Sequence, residues 1–306
     1  MNSALAAVIG LLLSIVLIIK KVSPVFSLML GAIVGGLLAG WGLETTVSEM
    51  IAGVKDITPA IVRILAAGVL TGMLVKTGAA STIAHSIIKA LGEKYIYLAL
   101  ALSAMILTGM GVFIDVAVIT IAPIAIIMGN KLQLSKFKLL LAMIGGGKCG
   151  NILSPNPNTI IAAENFDAPL SSVMAAGIVP ALVGLAVTVF VIIPLMPKGE
   201  LMKGDEAIGR KGDEAKEEQL PSLWRSLLGP IVTIILLALR PIAGIVIDPM
   251  IALPLGGVVG ILATGKWRET ANCLSYGLEK MSGIAILLVG TGTLAGIIKA
   301  SAIKDV

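Results

Sequence analysis

The chain has 306 residues, of which 57% are apolar and 13% are charged, and its formal net charge is +5. A soluble domain of this length needs a polar surface and carries about twice that share of charged residues, so a soluble fold is excluded. The two cysteines, Cys149 and Cys273, are too few for a disulfide scaffold, and the scattered positive charges form no stripe for nucleic acid. Composition therefore predicts an all-α polytopic membrane protein embedded in a lipid bilayer.

Apolar runs that approach the length of a membrane span recur along the chain. A helix needs about 20 predominantly apolar residues to cross the hydrocarbon core. About ten such segments are predicted, and they are residues 1–19, 22–43, 64–75, 95–114, 116–130, 137–163 (interrupted), 168–197, 224–239, 249–265 and 281–298. Because Lys20 and Lys21 follow the first run instead of preceding it, we expect a membrane span there and not a signal peptide.

An internal repeat appears when the chain is shifted by 224 residues. The shift places Gly53 on Gly277 and Gly68 on Gly292, among other identities. The connector in the first copy is net acidic, whereas that in the second copy begins with basic residues. Because basic residues favour the cytoplasmic side, the two copies are predicted to have opposite orientations. The fold class is therefore an inverted-repeat transporter with broken or re-entrant helices.

A hydrophilic segment divides the predicted spans into two groups. It carries many charges of both signs and has no periodic apolar face. We expect a solvated cytoplasmic loop at 198–223, between an N-terminal membrane half at 1–197 and the start of a second, incomplete repeat at 224–306. The first half contains the first repeat and a polar broken helix.

Helix breakers and polar residues cluster at 145–159, within the interrupted apolar run. Three consecutive glycines and two prolines predict that the backbone is unwound throughout this stretch. Unpaired backbone at membrane depth is tolerated only where it is buried in protein or lines a wet cavity, which favours a substrate site. An ordinary polar loop is the alternative, and Lys148 would then extend to the membrane surface. The candidate substrate-binding residues are Thr108, Lys148, Asn151, Ser154, Asn156, Asn158 and Thr159.

Asp115 is the only carboxylate between Glu93 and Glu164 and lies between two apolar runs. A carboxylate in such surroundings can take up and release a proton, so Asp115 is the candidate for proton coupling. Two alternatives remain: a static ion pair with Lys148, or a position at an exposed loop tip.

The residues 108–115, Thr-Gly-Met-Gly-Val-Phe-Ile-Asp, and those of 150–163 resemble motifs of the GntP family of gluconate and related organic-acid permeases, within the ion transporter superfamily. The resemblance implies proton-coupled uptake of a small organic anion by alternating access, in the inner membrane. It implies no cofactor and no metal, and a homodimer is left open. Family members often have glutamate at the position of Asp115 and His-Pro at Asn156-Pro157; Asn156 cannot titrate. Sodium coupling, known in the superfamily, is the alternative.

The same shift of 224 residues places the second counterparts of Asp115 and of 145–159 beyond Val306. We therefore expect the sequence to be a C-terminally truncated member, unable to transport alone. Three other function classes are alternatives, of which a non-catalytic scaffold protein leaves the costly broken segment unexplained. A sodium/proton exchanger would use Asp115 without an organic substrate. An intramembrane enzyme is disfavoured because His85 is the only histidine, so neither a serine triad nor clustered zinc ligands can form.

Overall fold

The computed structural model describes residues 2–197, 199–202 and 220–301. Within these ranges the regular structure is helical, and one isolated bridge joins Ser135 to Leu201. The all-α prediction is confirmed. The helices are α1 Ser3–Ile19, α2 Pro24–Leu38, α3 Leu43–Lys76, α4 Ala79–Leu91, α5 Ile96–Gly109, α6 Ile114–Lys131, α7 Lys136–Asn151, α8 Pro157–Asn165, α9 Leu170–Leu195, α10 Leu223–Ala243, α11 Pro249–Ala263 and α12 Thr270–Ala300. A 3-10 turn, Trp267–Glu269, extends α12 at its start.

The spanning helices are fewer than the sequence predicts. Five of the described helices are long and apolar enough to cross a membrane: α3, α6, α9, α10, and α12 with its 3-10 turn. The pair α4 and α5, bent by 106°, makes a sixth if it is counted as one broken span. Helices α1, α2 and α11 are apolar but have only 10–17 residues. The count of about ten is therefore not confirmed.

Much of the apolar surface of these helices faces outward. Helix α9 has a mean hydropathy of 2.7 over its most apolar window, yet only 28% of that window is buried inside the protein. A soluble protein would bury such a face, so the remainder of this surface matches contact with lipid. Most of the charged loop predicted at 198–223 lies outside the described residues.

The chain forms two compact units. The first takes in the chain up to Leu65 and again from Lys280, and the second runs Ala66–Glu279. Both α3 and α12 contribute to each unit. The first unit has a core of small and branched side chains, namely Ala7, Ala32, Met50, Leu294 and Ile297.

The 224-residue shift relates whole helices. It carries the 34-residue α3 onto the 34-residue segment Trp267–Ala300, and the 15-residue α2 onto the 15-residue α11 with an offset of one residue. In the first unit, Gly53 lies against the backbone of Gly292 and Gly296, where a Cβ would overlap main-chain atoms.

In the second unit, Gly277 lies in the same way against Gly68, and Gly72 lies against the carbonyl of Cys273. The shift places Gly53 on Gly277 and Gly292 on Gly68. The same glycine contact between α3 and α12 therefore occurs in each unit, with the two helices in exchanged roles. Within each unit, residues further along α3 contact residues that come earlier in α12. These two repeat-related helices therefore run antiparallel. This arrangement supports the inverted repeat and explains the glycine identities as close helix contacts.

Candidate functional site

The first element of the candidate site is the turn between α5 and α6. Gly111 has a φ of +99°, a conformation that glycine adopts without steric cost. The hydroxyl of Thr71 in α3 donates a hydrogen bond of 2.9 Å to the Gly111 carbonyl, and both residues are buried. The turn is therefore fixed against α3 and is not a free loop.

The second element is the break at 152–156, between α7 and α8. Asn156 is 3% exposed, and its Oδ1 accepts hydrogen bonds from the backbone N–H groups of Asn158 at 2.8 Å and Thr159 at 3.4 Å. Its Nδ2 donates to the Asn151 carbonyl at 2.7 Å and to the Ser154 hydroxyl at 2.6 Å. One side chain thus closes the end of α7 and caps the start of α8.

The other buried hydroxyls at this break are also used inside it. Thr159 Oγ1 donates to the Ser154 carbonyl and lies 3.0 Å from the Asn156 carbonyl, while Ser154 Oγ is 3.3 Å from the Asn151 carbonyl. Because an amide offers one acceptor oxygen and two N–H donors, the Asn156 amide is fully engaged. These groups stabilise the shape of the turn.

The prediction of unwound backbone throughout 145–159 is wrong for 145–151, which are the last turns of α7, and for 157–159, which begin α8. A Cβ at Gly146 would overlap the backbone of Ala101 in α5, and one at Gly145 would overlap the side chain of Thr188. The glycines serve close packing of α7, which outweighs their propensity cost of about 1 kcal/mol each. Pro157 occupies the first position of α8, where a missing N–H costs nothing.

The two interruptions lie next to each other. The Thr108 hydroxyl, at the end of α5, can donate its one proton to the Gly147 carbonyl of α7 at 2.9 Å or to the Ala104 carbonyl of its own helix, also at 2.9 Å. A Cβ at Gly150 would overlap Thr108 and the Met105 carbonyl, and one at Gly109 would touch Leu153. The turn after α5 and the break after α7 therefore form one compact cluster of non-helical backbone.

The predicted site residues divide by exposure. Thr108, Ser154, Asn156 and Thr159 are buried, Asn151 is half-buried, and Lys148, Asn158 and Asp115 are exposed. Among the residues that the structure describes, the side chains of Lys148, Asn151 and Asn158 have no hydrogen-bonding or ionic partner. Lys148 lies in the last turn of α7 and Asp115 in the first turn of α6, so each charge complements the polarity of its own helix end.

Comparison with known proteins identifies the family. A family model described as GntP family permease matches residues 2–306. The chain belongs to the GntP permease family. It is accordingly a multi-pass membrane transporter and not an enzyme, and the family predicted from residues 108–115 and 150–163 is confirmed.

Similar transporters come from several bacteria. An uncharacterized transporter of Haemophilus influenzae is 52% identical over 304 residues, which are 99% of this chain and 71% of that protein. A high-affinity gluconate transporter of Escherichia coli is 26% identical over 246 residues, 78% of this chain and 53% of that protein. The Gnt-II system L-idonate transporter of Escherichia coli is 26% identical over 284 residues, 86% of this chain and 62% of that protein. The chain thus spans between 53% and 71% of the length of these relatives.

The structure of this GntP permease adds two residues that the sequence did not single out. Tyr276 in α12 lies close enough to Asp115 and Glu279 for their charges to act on its hydroxyl. The Lys76 ammonium, at the end of α3, is 4.6 Å from the centre of the Tyr276 ring. Tyr276 therefore lies within electrostatic range of a carboxylate, Asp115, and in contact with a lysine, Lys76. No sequence motif joins these positions, which lie in three different helices.

Proposed function

We propose that this GntP permease carries a small organic acid across the bacterial inner membrane, with gluconate or a related hydroxy-carboxylate as the first candidate. Relatives named as gluconate and L-idonate transporters support this substrate class, because both names denote sugar acids with one carboxylate and several hydroxyls. The chemistry of the candidate site fits the same class.

Three side chains at the break after α7 are suited to bind such a substrate. Lys148 supplies a cation for the carboxylate, and the amides of Asn151 and Asn158 can each donate to and accept from a hydroxyl. In this proposal these three contact the substrate. The turn that carries these three side chains is stabilised by the hydrogen bonds of Ser154, Asn156 and Thr159. The Thr108 hydroxyl connects the end of α5 to α7 beside this turn.

Asp115 is the proposed proton carrier. It is exposed at the start of α6, and the preceding residue, Ile114, lies against Gly147 of α7, four residues before the break. A change in the charge of Asp115 would therefore act close to the proposed substrate-binding turn. Protonation would let the permease move a proton together with the organic anion by alternating access. Sodium coupling is the alternative that the test below separates.

The observation that carries the proposal is the hydrogen bond from Thr108 to the Gly147 carbonyl, because it places two interrupted helices of a permease side by side. Broken helices whose ends lie together are the usual location of a transporter's substrate site.

The test is uptake into proteoliposomes that contain the purified complete protein. We expect radiolabelled gluconate, or another member of a panel of hydroxy-carboxylates, to accumulate when the outside is acidified, with the gradient collapsed by an ionophore as the control. Accumulation driven by a sodium gradient at constant pH would show that the coupling ion is sodium and not the proton. If no hydroxy-carboxylate accumulates under either gradient, the proposal is wrong.

A further inference from the structure

A cavity of about 470 Å³ lies in the second unit, where α5 and α7 begin and α9 ends. Polar side chains line one part of it, among them Lys94, Lys138 and Tyr97, and apolar side chains line the other, among them Leu98, Phe190 and Ile193. None of the residues of the proposed substrate site lines this cavity. It therefore needs an explanation of its own.

The cations of the cavity differ from the other lysines around it. Lys131 is paired with Glu93, and Lys136 with Glu200 at 2.9 Å. Within the described ranges, Lys94 and Lys138 have no carboxylate partner, and Lys94 lies 5.4 Å from the centre of the Tyr95 ring. The first turn of α7 contains Lys138 and no acidic residue. This end of the cavity therefore attracts an anion.

The opposite wall of the cavity continues onto a surface suited to lipid. Phe190 and Ile193 belong to α9, the helix of highest mean hydropathy, and Phe190 is 66% exposed. Around Phe190 the helix makes a π-helical turn, Thr188–Ile192, a feature that is rare and frequent at functional sites. The cavity thus joins a basic end to an apolar face.

We propose that this cavity binds an anionic phospholipid, with its phosphate at Lys94 and Lys138 and an acyl chain along Phe190 and Ile193. A small soluble anion would use the lysines but gain nothing from the apolar wall. A neutral lipid would use the wall but leave the two cations without a counter-charge. Lysines at span ends concentrate on the cytoplasmic side, whose leaflet carries anionic lipids, so the basic end meets the right headgroups.

The test uses a tryptophan placed in the apolar wall, F190W, in the complete protein with Trp41, Trp224 and Trp267 changed to Phe. The protein is reconstituted with brominated phosphatidylglycerol or brominated phosphatidylcholine, and quenching of the reporter measures how often each lipid occupies the cavity. We expect phosphatidylglycerol to be preferred by at least about fivefold, since each nearby lysine attracts anionic lipid.

Changing both Lys94→Gln and Lys138→Gln should bring the preference close to onefold. The control changes Lys20→Gln and Lys21→Gln, two exposed lysines at the end of α1 that do not line the cavity, and it should keep the preference. An unchanged preference in the first variant, or an equal loss in the control, would overturn the proposal. So would relief of quenching by millimolar inorganic phosphate, which would assign the lysines to a soluble anion instead. Size-exclusion profiles in detergent check that each variant is folded.

Discussion

The Thr108 hydroxyl donates a 2.9 Å hydrogen bond to the Gly147 carbonyl, thirty-nine residues along the chain. The bond joins the end of α5 to α7 four residues before α7 itself ends. Each helix stops within a few residues of this contact, and the polar turn that follows α7 is thereby held against the turn that follows α5. We expect a displacement of either turn to act on the other through this contact.

Thr108→Val tests that coupling. Valine keeps the shape of threonine but removes the donor, and loss of a buried hydrogen bond costs about 1–3 kcal/mol. We expect uptake to fall by about tenfold or more while the amount of folded protein in the membrane is unchanged. Thr120→Val is the matched control, because among the described residues the Thr120 hydroxyl bonds only to the Val116 carbonyl of its own helix, at 2.8 Å. Equal effects of the two variants would show that the bond between α5 and α7 has no special role.

The two asparagines of the break after α7 should respond differently to alanine. Asn156→Ala removes the cap of α8 and two donors from the turn, so we expect a loss of thermal stability equivalent to about 1–2 kcal/mol. Asn158→Ala removes an exposed amide that has no partner among the described residues, so stability should stay the same and the KM for the organic acid should rise. The measurements are thermal unfolding in detergent and uptake kinetics. An unstable Asn158→Ala, or an Asn158→Ala with unchanged KM, would contradict the proposed division of roles.

Gly146→Ala should destabilise the permease although alanine is the better helix former. The added Cβ would meet the backbone of Ala101, which cannot move aside without displacing α5. Gly283→Ala in α12 is the control, because nothing lies within 4 Å of a Cβ there, and it should stabilise slightly, by about 0.5–1 kcal/mol. Thermal unfolding in detergent compares the two. A Gly146→Ala variant as stable as the wild type would show that α5 and α7 are not closely packed.

Lys148→Gln distinguishes a substrate contact from a lysine that only reaches the membrane surface. A charge-assisted hydrogen bond to a carboxylate contributes about 1.5–3 kcal/mol, so its loss should raise the KM by about tenfold or more, and Lys148→Arg should restore part of it. Lys131→Gln is the control, since that lysine is exposed and paired with Glu93. A surface role for Lys148 would leave the KM as it is in the control.

The sequence was sufficient for the class of fold but not for the local shape of the candidate site, and the location of that site stays a prediction. The glycines at 145–147 suggested unwound backbone because propensity counts only the cost of a glycine in a helix. The glycines allow close packing of α7 against Ala101 and Thr188, and these two residues are distant in sequence. Span boundaries failed for a related reason. The charged residues of α3 suggested a separate connector, yet the helix runs without interruption from Leu43 to Lys76.

The contact between Lys76 and Tyr276 could not have been predicted either. Tyr276 and Lys76 come from helices that meet through the glycine contacts of α3 with α12, and no spacing in the sequence records that contact. The 224-residue repeat, in contrast, was visible in the sequence because close helix crossings require glycine at both related positions, as at Gly53 and Gly277.

Asp115→Asn should separate proton coupling from substrate binding. The amide keeps the size of the side chain but cannot take up or release a proton, so accumulation driven by a pH gradient should be lost. Exchange of labelled for unlabelled substrate across the membrane needs no net proton movement and should persist at a substantial fraction of the wild-type rate. Asp167→Asn is the matched control: that aspartate is exposed and has a φ of +47°, a conformation that asparagine adopts readily. If Asp115→Asn still accumulates substrate against a gradient, the coupling carboxylate lies elsewhere. Loss of exchange together with accumulation would instead place Asp115 in substrate binding or in the conformational change itself.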